Sequence, residues 1–140
     1  MLDDRLLIEE LLVGLPRRRR RLSLYTTMYW YYRACRAATA GAGGHLSGPF
    51  GRLATSEQER AILSLLELRD DIELPEPRAI VPVMAALALR HPKLNLLNLE
   101  ATATAMVLGG TVWLSEPGAA GILPSVLDAE HVRWNAAAIS

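Results

Sequence analysis

An α/β fold, a short parallel sheet flanked by helices, is what this sequence predicts. Residues 97–116, LNLEATATAMVLGGTVWLSE, run from an alanine-rich helix through Gly109-Gly110 into a β-branched stretch and then an acid, the pattern of a helix-to-strand unit. Elsewhere, runs with helical apolar spacing alternate with short strand-like runs, and strands alternating with helices imply parallel pairing. The 140 residues, 51% hydrophobic and 21% charged, suit one globular domain, 1–140, with enough chain to bury a core.

In residues 4–13 the apolar positions Leu7, Ile8, Leu11 and Leu12 recur at helical spacing, with Asp4 as N-cap and residues 14–16 as the stop. The basic run Arg17, Arg18, Arg19, Arg20 and Arg21 follows. Ser23 then caps a second helix through about Thr39 that carries Tyr25, Tyr29, Trp30, Tyr31 and Tyr32. Residues 40–51, rich in glycine and holding Pro49, form a loop. Thr55 or Ser56 opens a third helix, with acids in its first turn favourable to the helix dipole, ending near Arg69.

Residues 71–74 alternate as a strand before Pro75, and Pro77 starts a helix over 78–90, with Pro82 inside its first turns. A fifth helix spans 94–108, a strand 111–114, a helix 118–129 with a break at Pro124, and a last strand 131–134. Three short strands are few for a parallel sheet, so a further strand is expected at the front, upstream of Met1.

Several function classes are excluded by composition. Acids and bases balance at 15 each, so any attraction for a polyanion must be local. A single cysteine, Cys35, rules out an internal disulfide. The longest apolar run, 79–89, contains Pro82 and is too short to span a bilayer. Asp3, Asp4, Glu9 and Glu10 stand where an export signal would be basic and then apolar, so a cytoplasmic location with no membrane association is expected.

Local motifs give weaker signals. Residues 17–21 would grip RNA phosphates or form a solvated loop. The tyrosines between 25 and 32 would stack bases or pack in a core or dimer interface, and their helical spacing favours packing. Glu9 and Glu10 are expected on a solvated helix face, with room for one to point inward. The glycines of 40–45 do not follow a strand and lack the Gly-Lys-Ser/Thr ending of a phosphate loop. His45, His91 and His131 are far apart without metal-ligand spacing.

The segment 97–116, together with Leu2-Asp3-Asp4-Arg5-Leu6-Leu7-Ile8-Glu9, resembles the PIN-domain family, including VapC-type toxin ribonucleases. The resemblance runs over 22–36, 57–90 and 94–134, on motifs of moderate specificity. It implies a PIN-like three-layer sandwich whose first strand ends in a leucine-aspartate pair. It also implies Mg²⁺ or Mn²⁺ held by carboxylates, an RNA substrate, homodimerisation and a small antitoxin partner. A hard divalent cation bound by several carboxylates would orient water and neutralise charge as a phosphodiester breaks.

Carried onto this chain, the metal-binding and catalytic positions fall on Asp3, Asn98 and Glu116, with the second acid position near Tyr31 or Tyr32. Neither tyrosine supplies a carboxylate, and Asn98 offers only a neutral oxygen. Glu100, two residues on, points to another side of the helix and does not stand in for it. The expected function is therefore a PIN-like protein with weakened or lost RNA cleavage. The alternatives are a non-catalytic protein- or RNA-binding module on the same fold, and an all-helical regulator whose strands are misread.

Overall fold

Two parallel strand pairs form the sheet. Leu24–Tyr25 (β1) pairs with Ile72–Glu73 (β2), Leu24 opposite Ile72, and Val112–Ser115 (β3) pairs with Trp134–Ala137 (β4), Val112 opposite Trp134. The computed structural model describes residues 1–12, 23–39 and 55–137. The run 17–21 and the loop 40–51 lie outside the described residues.

Residues 1–3 join the two pairs. Leu2 N–H donates to Tyr25 O at 2.8 Å, Trp113 N–H donates to Met1 O at 2.7 Å, and Asp3 N–H donates to Trp113 O at 3.2 Å. Leu2 and Trp113 form a parallel bridge. The spatial order is β2, β1, residues 1–3, β3, β4. Residues 1–3 thus lie between β1 and β3, where the sequence places the end of a front strand. Backbone pairing between β1, β2, β3 and β4 also sets aside the all-helical reading.

Seven helices are described: Asp4–Leu12 (α1), Met28–Thr39 (α2), Thr55–Leu66 (α3), Pro77–Arg90 (α4), Leu96–Leu108 (α5), Glu116–Ala119 (α6) and Leu123–Ala129 (α7). The helix expected from Ser23 begins instead at Met28, because Leu24 and Tyr25 pair with distant strands. That choice is tertiary. Thr27 becomes the cap, its Oγ1 accepting from Trp30 N–H at 3.1 Å.

Other boundaries also move. α3 ends at Leu66, three residues short of Arg69, and β2 keeps only the two central residues of the expected 71–74. The single helix expected over 118–129 is two, broken at 120–122 rather than at Pro124. Pro124 sits in the first turn of α7, where a missing N–H costs no helical bond. The last strand lies at 134–137, after His131 turns through a left-handed conformation at φ 58°. Trp134 Nε1–H donates to Asp128 Oδ1 at 2.9 Å and ties the strand's start to α7.

Three clusters make the core. Leu2, Leu6, Leu7, Ile8, Leu24, Ala34, Leu65 and Ile72 pack α1, α2 and α3 with β1 and β2. Trp30, Ala101, Ala105, Val112, Leu114, Leu123 and Leu127 join α5, α7 and β3. Ile80 and Leu87 of α4 meet Leu99 and Ala103 of α5. α5 is buried at every residue from Leu99 to Ala105, Glu100, Thr102 and Thr104 included, and its small side chains admit α2, α4 and α7. Asn95 caps its start, and Gly109, at φ 66°, ends it in the left-handed region where glycine has no Cβ penalty. No helix among the described residues is long and apolar enough to cross a membrane.

Candidate binding cleft

Beyond the carboxyl ends of residues 1–3 and β3, where open parallel sheets place their ligand sites, lies a cleft of about 270 Å³. Asp3 and Ser115 form its floor. Asp3 is buried, and its Oδ1 accepts from Leu6 N–H at 3.0 Å, so Asp3 rather than Asp4 caps α1. Its Oδ2 accepts from Ser115 N–H and from Ser115 Oγ, both at 2.7 Å. Burial pushes the Asp3 carboxyl above the ordinary carboxylate range. The hydrogen bonds from Leu6 and Ser115 pull it back, and neighbouring Asp4 adds a smaller upward push.

The walls carry both charges. Asp4, Arg5, Arg33 and Asn98 line the cleft with Trp30 and Leu97. Arg33 Nε stands 3.0 Å from Asp4 Oδ2, an ion pair in which that oxygen has no aligned hydrogen-bond donor among the described residues. Asp4 Oδ1 accepts from Arg5 N–H at 3.0 Å.

Asp3 and Asn98, 95 positions apart in the chain, both line this cleft. Glu116 does not join them: it is exposed, and its neighbours Ser115 and Pro117 line the cleft in its place. Around the second acid position, α2 turns Trp30 and Arg33 into the cleft. Tyr31 packs against the first core cluster, its hydroxyl 3.0 and 3.1 Å from the carbonyls of Leu65 and Leu66, and Tyr32 is exposed. Of the aromatic group, Trp30 and Tyr31 are packed while Tyr29 and Tyr32 face outward.

Glu9 and Glu10, expected on a solvated face, are both buried, and Glu10 Oε1 accepts from Arg69 at 3.0 Å. Packing of the second turn of α1 against α2 and α3 takes that face out of water.

Sequence reasoning missed three residues that matter here. Ser115 gives Asp3 two of its hydrogen bonds, and Arg33 supplies a cation one turn beyond Trp30. The third, Glu100, is almost fully buried in α5 and caps α2: Oε2 accepts from Met28 N–H at 3.0 Å and Oε1 from Tyr29 N–H at 2.8 Å. With Thr27 Oγ1 on Trp30 N–H and Thr27 O on Tyr31 N–H, all four leading amides of α2 are satisfied. One signal for Glu100 was present, since a lone acid in an otherwise apolar helix must find buried donors.

A divalent metal does not fit these residues. A hard cation needs about six oxygens, usually with one or two carboxylates able to give up lone pairs. An ionised carboxylate has roughly four acceptor sites, and Asp3 already uses three of them on Leu6 and Ser115. Asp4 is paired with Arg33, Glu100 is spent on α2, and Asn98 is neutral. Among the described residues no group of three or more His, Cys, Asp or Glu side chains is placed to hold a metal.

No family model matches this chain, and no curated protein matches it in sequence.

Proposed function

We propose that this chain is a PIN-like three-layer domain related to VapC-type toxin ribonucleases, acting in the cytoplasm, in which metal-dependent RNA cleavage has been lost and a binding role kept. The observation that carries this reading is the Asp3 carboxylate, committed to Ser115 and Leu6 in a cleft that also holds Arg33. A nuclease of this class needs its carboxylates free for a cation and the cation free for water and phosphate. Here Asp3 is largely taken up by hydrogen bonds from Leu6 and Ser115, and Asp4 is ion-paired with Arg33.

Protein contact is the binding role that the described surface favours. The outer side of α4 exposes Val81, Pro82, Ala85, Ala86 and Leu89 without a charge among them, and Leu89 is 87% exposed. Contiguous apolar surface of this kind is typical of protein interfaces. A second copy or a small antitoxin-like partner would suit it. RNA contact through Arg17, Arg18, Arg19, Arg20 and Arg21 is the other form of the same role.

The test is incubation of the natural protein with single-stranded RNA and Mg²⁺ or Mn²⁺, with Asp3→Ala in parallel. No cleavage by either protein is expected. Cleavage by the natural protein that Asp3→Ala abolishes would overturn the proposal, and Asp3 and Asn98 would then be its catalytic candidates.

A further inference from the structure

The cleft places two successive carboxylates, Asp3 at 2% and Asp4 at 6% relative exposure, where water screens them poorly. Like charges so placed repel, and each loses hydration, so the pair needs a nearby cation. The chain sets Arg5 and Arg33 on the cleft wall, and Arg33 is the one in ion-pair contact with Asp4. Trp30 and Arg33, one helical turn apart on α2, both reach the cleft, and the Arg33 guanidinium lies in ion-pair contact with Asp4. The Asp4 side chain is 8% exposed and that of Arg33 is 39% exposed, so the cation bridges from the buried acid to the open mouth.

We propose that Arg33 is the resident cation of this cleft, occupying by charge the role a divalent metal would otherwise fill and excluding free metal ions from Asp3 and Asp4. This deepens the reading of lost catalysis given above and rests on it. Arginine suits the role because its planar guanidinium presents several N–H donors in a rigid fork that matches carboxylate geometry. An incoming divalent ion meets a fixed positive group beside Asp4 and, on Asp3, a carboxylate with one acceptor site left. Replacing Arg33 with an acid would do two things together: remove the repulsion and add a third carboxylate to the cleft wall that holds Asp3, Asp4 and Asn98.

Titration of the full chain with Mn²⁺, followed by calorimetry and by loss of the free-ion paramagnetic signal, tests this. Arg33→Glu is expected to bind Mn²⁺ at least about tenfold more tightly than the natural protein, since the local charge changes by two units. Adding Asp3→Asn to Arg33→Glu is expected to remove that gain, which general loosening of the fold would not do. Circular dichroism establishes that each variant is folded, and if Arg33→Glu is not, Arg33→Met decides by the same comparison with a smaller gain. Equal Mn²⁺ affinity in the natural protein and a folded Arg33 variant overturns the assignment. RNA cleavage by the natural protein decides the proposed loss of catalysis separately, because the ratio of Mn²⁺ affinities needs no RNA.

Discussion

Asp3 and Ser115, 112 positions apart in sequence, are joined by two 2.7 Å hydrogen bonds to a single carboxylate oxygen, one from the Ser115 backbone and one from its hydroxyl. This contact fastens the end of residues 1–3 to the end of β3 and forms the cleft floor. It also starts α6, since Ser115 Oγ accepts from Gly118 N–H at 3.4 Å.

Ser115→Ala should therefore destabilise the fold in a pH-dependent way. Hydrogen bonds to a charged group contribute about 1.5–3 kcal/mol, and that loss is expected at pH values above the raised Asp3 pKa, where the acid is ionised. Asp3's folded pKa is raised above its ordinary value of 3.8, so its own titration favours folding below that value, and this contribution is lost as pH rises through the folded pKa. The cost of Ser115→Ala should shrink as pH falls below the Asp3 pKa, because the protonated acid needs the donor less. Urea denaturation at a series of pH values checks it, and a pH-independent cost would refute it.

Gly118→Ala should disturb the same floor. A Cβ at Gly118 would sit 2.6 Å from Asp3 Oδ2, and that oxygen cannot swing aside without breaking its bonds to Ser115. A cost of about 1–3 kcal/mol is expected, typical of overpacking. Thermal melts read it, and an unchanged melting temperature would mean that Asp3 moves freely.

Glu100→Ala should cost about 3 kcal/mol, because Met28 and Tyr29 N–H lose a charged acceptor at the start of α2. Glu100→Gln, which keeps one acceptor oxygen, should fall between the two. Chemical denaturation of the three proteins gives the order, and equal stability of Ala and natural protein would remove the capping role.

Thr104 carries a buried hydroxyl without a partner among the described residues. Thr104→Val keeps the shape and removes that polar group, so stability should hold or rise by up to about 1 kcal/mol. A clear drop in melting temperature would show that the hydroxyl is bonded after all.

Glu130 ties α4 to the end of α7, with Arg90 and His91 both on its carboxylate. The Arg90 guanidinium, with the His91 ring second, holds its pKa down at about 2. A depressed carboxylate contributes stability above its unfolded value of 4.5, and that contribution is lost as pH falls toward 2. Glu130→Gln should cost about 1 kcal/mol near neutrality, a modest figure because Arg90 is half-exposed, and almost nothing below pH 2. Melting curves of both proteins across that range measure the difference.

Local rules carried some elements well. Pro77 at the start of α4, Gly109 after α5 and the β-branched run into β3 each act within a few residues, so their effects were legible in order along the chain. They failed where a choice depended on distant backbone. Leu24 and Tyr25 read as helix and became strand because residues 1–3 and β2 supplied their hydrogen-bond partners.

The cleft divides the same way. The sequence by itself determined the acid at Asp3, the amide at Asn98, the tyrosines at 31 and 32, and hence a thin supply of carboxylates. Only the tertiary structure decided that Asp3 would accept three hydrogen bonds from Leu6 and Ser115, that Glu116 would face solvent, and that Arg33 would pair with Asp4. The physical reason is range: helix and turn signals are set by neighbours in the chain, whereas the charge state and free valence of a buried carboxylate are set by whichever groups the packed fold brings within about 3 Å of it.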